Sequence, residues 1–198
     1  MKDSTASGLT GLLSLIGAAI SVYLAQAHIT VKSGEKAGGV CDLGATLNCD
    51  AAAASAYSTV AGVPIAIVGL AGYVACVALV GWYLSQKAPR SKDPISIAGT
   101  LQTFFGVSVV YSVFLAVVSI LVLPAICPAC VALYVVNIIG LVLTTLWTGR
   151  GPLSTLGAQL KDLGKALGQP AALGFVAIVV AVVVLGTGYT NAAIDRSS

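Results

Sequence analysis

PISIAGTLQTFFGVSVVYSVFLAVVSILVLPAICPACVALYVVNIIGLVLTTLWTG, residues 94–149, contains no Asp, Glu, Lys, Arg or His. As one helix rising ~1.5 Å per residue it would be roughly 84 Å long, whereas about 20 apolar residues suffice to cross the hydrocarbon of a bilayer. The run must therefore fold back. Pro124 and Pro128 mark the break, because each lacks an amide donor and pushes the residue before it out of helical geometry. Two spans result, with Cys127-Pro128-Ala129-Cys130 at the start of the second.

Outward from that stretch the same reading gives three more spans, roughly Gly8–Ala27, Val60–Ser85 and Pro170–Tyr189, with polar connectors at Gln86–Asp93 and Arg150–Gln169. Hydrophobic residues make up 58% of the 198 and charged residues 9%, against about 25% charged in ordinary soluble domains. The expected class is an all-α integral membrane protein. A net charge of +3, spread along the chain, does not point to nucleic acid. The spans hold no Asp, Glu, Lys or Arg, so neither an intramembrane ion path nor a carboxylate acid–base pair has candidates.

Orientation follows from Lys and Arg placement. With the N-terminus cytoplasmic, Lys2, Lys87, Arg90, Lys92, Arg150, Lys161 and Lys165 fall inside, and Lys32, Lys36 and Arg196 outside. The loop holding Cys41 and Cys49 and the CxxC then share the non-cytoplasmic side, where disulfide exchange is expected. Ala25-Gln26-Ala27 has the form of a signal-peptidase site, but Lys2 is offset by Asp3. A retained first helix is the preferred reading.

Pro128 suits a first helical turn, where orphan amides and the helix dipole favour a thiolate while burial opposes it. Asp50 reads as the N-cap of Ala51–Ala56, leaving Cys49 just outside that helix. Cys41, in the Gly- and Asp-containing Gly38–Gly44 segment, reads as accessible to a partner. Each pair has a plainer alternative as a structural disulfide. Zinc fits poorly: seven residues separate Cys41 from Cys49, and His28 is the sole histidine. Cys76 reads as a small buried hydrophobe. With no acid–base pair, the chemistry falls to sulfur, and a carrier living in the bilayer, a quinone, fits as electron acceptor. Tyr134 and Asn137 follow Cys130 at helical spacing and can hydrogen-bond a quinone oxygen. The alternative for both is interhelical hydrogen bonding or, for Tyr134, a place at headgroup level.

With these residues placed, Gly8–Trp147 resembles the vitamin K epoxide reductase family, particularly its bacterial homologues. The ordered set is Cys41, Cys49, Ser55, the segment Tyr57-Ser58-Thr59-Val60-Ala61-Gly62-Val63-Pro64, Gly69, Tyr73, then Cys127, Cys130, Tyr134 and Asn137. The resemblance implies a four-helix transmembrane bundle (about 8–148) around a quinone, ubiquinone or menaquinone, with a fifth helix (about 170–190) outside. It implies that Cys41 receives electrons from a thioredoxin-like protein, that Cys49 carries them to Cys127, and that Cys130 faces the quinone. Ser55 and Tyr134, and with them Asn137, would bind the quinone. The setting implied is a bacterial cytoplasmic membrane, with the cysteines facing the periplasm or exterior. Many bacterial relatives carry a thioredoxin-like domain after the fifth helix; here the sequence stops at Ser198, so the partner is expected either as a separate chain or as the remainder of a longer one. The neighbourhood matching a quinone-binding asparagine of vertebrate members, Val63–Val68, is apolar. The competing readings are a disulfide-bond-formation protein B-like oxidase, whose CxxC lies nearer the first helices, and a non-catalytic scaffold with structural disulfides.

Overall fold

The computed structural model describes residues 3–35, 41, 47–85, 97–123, 125–161 and 170–197. Pro124, the Gln86–Asp93 connector, Lys2, Lys36, Lys87, Arg90, Lys92, Lys165 and all of Gly38–Gly44 except Cys41 lie outside these residues. The described chain forms α1 (Asp3–Lys32), α2 (Cys49–Ala54), a short 3-10 turn (Ala56–Ser58), a hairpin of β1 (Thr59–Val60) and β2 (Val63–Pro64), α3 (Ile65–Ser85), α4 (Ile97–Leu121), α5 (Pro128–Thr148), α6 (Pro152–Lys161) and α7 (Pro170–Ser197). Helices α1, α3, α4, α5 and α7 are long and apolar enough to cross a membrane. The protein is an all-α membrane protein, with one small hairpin among the described residues.

Helix α1 packs against α3 and α5, α4 packs against α5, and α7 lies against α3. The first four form the bundle expected from sequence and α7 sits outside it. Apolar side chains on the outer faces, such as Val110, Ile120, Val184 and Leu185, are exposed; in water this would be costly, and in lipid it costs nothing. Association in lipid then depends on close packing and interhelical hydrogen bonds. Gly140 of α5 meets the Phe105 ring of α4 so closely that a Cβ there would collide with it. Asn137 of α5 donates to Ser112 Oγ of α4 at 3.0 Å and accepts from Tyr73 Oη of α3 at 2.7 Å. One side chain thereby joins three helices.

Two local structures differ from the sequence reading. The second span begins at Ile65 rather than Val60, because Thr59–Pro64 is a two-residue hairpin pairing Thr59 with Pro64 and Val60 with Val63. Its central residues, Ala61 and Gly62, both have positive φ (51° and 80°), the geometry that suits a tight hairpin. The connector after Arg150 contains α6, held by Gln102 of α4. The Gln102 amide donates to Thr145 Oγ1 and the Arg150 carbonyl, at 3.1 and 2.8 Å, and its oxygen accepts from Thr148 and Thr155, at 3.0 and 2.8 Å. Every hydrogen-bonding position of that buried amide is filled, so the bundle tolerates a polar side chain at full burial.

Candidate redox site

The site is assembled where the loop after α1 docks on the α4–α5 connection. Leu47 pairs with Ile126 in an isolated parallel bridge, and Asn48 donates its amide to the Ile126 carbonyl at 3.0 Å. This register sets the next residues, Cys49 and Cys127, side by side. Each cysteine stands at a helix start. Asn48, extended at φ −147° and ψ 112°, caps α2 through its side chain, which accepts from the Ala51 amide at 2.9 Å. The cap is therefore Asn48 and not Asp50, and Cys49 is the first residue of the helix rather than just outside it. Cys127 caps α5, with Pro128 in the first turn as expected.

Cys41 and Cys49 are joined in a disulfide, while Cys76, Cys127 and Cys130 are free. Cys127 Sγ lies 3.0 Å from Cys49 Sγ, and Cys130 donates to Cys127 Sγ at 2.7 Å. The four sulfurs form one uninterrupted row. Cys41, expected to be accessible, is instead 4% exposed, because its bond to Cys49 draws it into a cluster with Cys127, Tyr23 and Leu24. The sulfurs of Cys41, Cys49 and Cys127 lie within 4.8 Å of one another, but two of them are spent on the disulfide and offer no thiolate to a metal. Cys76 is fully buried in the apolar core, as its sequence setting indicates.

The hydrogen bond from Cys130 holds the Cys127 thiol below the ordinary thiol range, aided by the amides of Cys130 and Ala129 and opposed by burial. The Cys130 amide stands 3.2 Å from Cys127 Sγ, so the N-terminus of α5 points its free donors at this sulfur. A thiol biased towards its thiolate thus sits against a disulfide, which is the arrangement that thiol–disulfide exchange requires.

A cavity of about 100 Å³ opens beside the sulfurs, bordered by Cys49, Cys127, Cys130, Ser55 and Tyr134, several times the space one water needs. Ser55 Oγ donates to the Ala52 carbonyl at 2.7 Å, and Tyr134 hydrogen-bonds Ser119. Asn137, one turn further along α5, is not among the residues bordering this cavity; its amide is engaged by Tyr73 and Ser112. The cavity also takes in His28, Tyr57, Ser58 and Ser119, which the sequence reading did not assign. His28 falls one residue past the first span as read from sequence, and only the extension of α1 to Lys32 brings it into the helix. Ser119 carries no mark in an apolar run.

The model of the vitamin K epoxide reductase family matches residues 9–145, which takes in α1 to α5, all four sulfurs of the row and the cavity. The chain belongs to the vitamin K epoxide reductase family. No curated protein and no solved structure matches it. Membership makes the chain a membrane thiol–disulfide oxidoreductase.

Proposed function

We propose that this protein oxidises the dithiol of a separate thioredoxin-like protein and passes the two electrons through Cys41–Cys49 and Cys127–Cys130 to a quinone, so that disulfides keep forming outside the cytoplasm. The observation that carries the reading is the contact of Cys127 Sγ with both Cys49 Sγ, at 3.0 Å, and Cys130 Sγ, at 2.7 Å, beside a cavity. A structural disulfide alone gives no reason for a second dithiol to touch it.

The exchange steps balance in sulfur. A partner thiolate attacks Cys41, forming a mixed disulfide and releasing Cys49. The second partner thiol resolves it and leaves Cys41 reduced. Cys49 attacks Cys127 of a Cys127–Cys130 disulfide and releases Cys130. Cys41 then attacks Cys49, restoring the Cys41–Cys49 bond and leaving Cys127 and Cys130 as a dithiol. The pairing found here, Cys41–Cys49 closed and Cys127 and Cys130 free, corresponds to that stage. Because Cys41 is buried while bonded, partner docking has to uncover it.

Family members generally use quinones, and the cavity suits one: it is mostly apolar, with His28, Ser55, Tyr57, Ser58, Ser119 and Tyr134 as its polar groups beside the sulfurs. A bound quinone supplies an acceptor for two electrons and two protons. Tyr134, one turn beyond Cys130, and Ser55 are the residues that would orient its oxygens; Asn137 acts on the same helix through Tyr73 and Ser112, fixing the turn that carries Tyr134. Ubiquinone or menaquinone is the acceptor class for a bacterial cytoplasmic membrane. The sulfur end faces the periplasm or exterior, and the Arg150–Lys161 end the cytoplasm, in keeping with the positive-inside rule.

The test is quinone reduction by the detergent-solubilised protein, driven by a reduced thioredoxin-like protein, beside a Cys130→Ala version. Turnover that requires both quinone and Cys130 is expected. Well-folded protein that turns over no quinone with any of several donors would sink the reading and leave the disulfide a structural clip.

A further inference from the structure

His28 is the chain's only histidine. It stands on α1 at the edge of the cavity that holds Cys49, Cys127 and Cys130. The residue is 5% exposed, and its Nδ1 is buried with no hydrogen-bond partner. The imidazole thus stands in the cavity wall with one ring nitrogen unpartnered. A buried polar atom without a partner costs stability.

The titratable groups around it are Tyr57, Cys127, Cys130 and Tyr134 across the cavity, and Lys32 one turn along α1; α3 and α4 contribute none to the cavity. Lys32 reaches towards the Ala54 carbonyl, at 3.4 Å. Among the described residues no carboxylate borders the cavity, and His28 is the one lining side chain with an ordinary pKa near neutrality.

We propose that His28 carries a proton for the sulfur pair. The inference rests on the quinone-dependent reading above. The imidazole accepts the proton that leaves Cys127, giving imidazolium and thiolate. As the Cys127–Cys130 disulfide closes, two electrons pass to the quinone-class acceptor. The acceptor takes one proton from His28 and one from Cys130, and His28 returns to its neutral form. Two thiol hydrogens are lost, two are delivered, and one S–S bond is made.

The experiment compares wild type with His28→Gln and His28→Asn in two assays. The first is steady-state quinone reduction from about pH 5.5 to about pH 9, in which both variants are expected to lose about 10²-fold in kcat, together with an ionisation in the kcat profile. The second is a single turnover of partner dithiol by the Cys41–Cys49 disulfide without quinone, expected to stay within about twofold, since that step needs no base at the cavity. Unchanged kcat and pH profile in both variants overturns the proposal while leaving the oxidase reading intact. Equal losses in the two assays, or a lower kcat with the ionisation retained, make His28 a packing residue and overturn it too. A wild-type protein that reduces no quinone takes down the oxidase reading and this proposal with it.

Discussion

Cys127 is the residue on which the chemistry turns, since its sulfur touches the loop disulfide on one side and Cys130 on the other. Its thiol lies below the ordinary range chiefly because Cys130 donates to it. The thiolate is the form present above the pKa, so a lowered pKa extends exchange to pH values below the ordinary thiol pKa of about 8.5. Removing the Cys130 donor must move that limit upward. Thiolate absorbance titrated against a Cys127→Ala blank should place the Cys127 midpoint below the ordinary value, and Cys130→Ala should raise it; a midpoint that stays put on losing Cys130 would show that the α5 amides alone set it. At this scale much of the site was legible. CxxC with proline in the first turn announced the helix start, while the balance between helix-end donors and burial at the thiol was open in the sequence. The choice of Asn48 over Asp50 as cap was not, because both residue types cap well and only the docking of Leu47 and Asn48 on Ile126 decides where the helix begins. The unpaired Nδ1 of His28 was equally invisible, being a property of what α1 packs against.

The helices themselves were plain in the sequence, since charge-free runs too long for one crossing and broken by proline leave few ways to fold. Their ends were less so. The Thr59–Pro64 hairpin lies inside a stretch apolar enough to extend α3, and only the positive φ of Ala61 and Gly62 sets it apart. Helix α6 hides in a polar connector because its anchor, Gln102, lies about fifty residues earlier in the chain. Helix-to-helix contact rests on fit, and Gly140 against Phe105 is its sharpest instance. Gly140→Ala gains helix propensity worth up to about 1 kcal/mol, but overpacking typically costs about 1–3 kcal/mol. The clash with a buried, fully packed ring decides the sign. Thermal unfolding in detergent should show a net loss of about 1–2 kcal/mol, relieved when Phe105→Leu is added; a stabilised Gly140→Ala protein would mean that α4 and α5 do not pack this closely.

Over the whole molecule, four helices and the loop after α1 bring together two cysteine pairs separated by about 80 residues of chain. Sequence could say that both pairs fall on one side of the membrane, because alternating spans and the bias of Lys and Arg require it. It could not say which cysteine of one pair meets which of the other from spacing alone; that follows from the parallel bridge between Leu47 and Ile126, which brings Cys49 to Cys127. The account therefore stands on the Cys49–Cys127 junction. It is tested by mapping disulfides in the Cys41→Ala/Cys130→Ala double variant after mild oxidation, with non-reducing peptide mass spectrometry. With their own partners removed, Cys49 and Cys127 should be recovered as a single cross-linked pair in most of the protein. Recovery of both as free, alkylated thiols, in protein that remains folded, would contradict the relay.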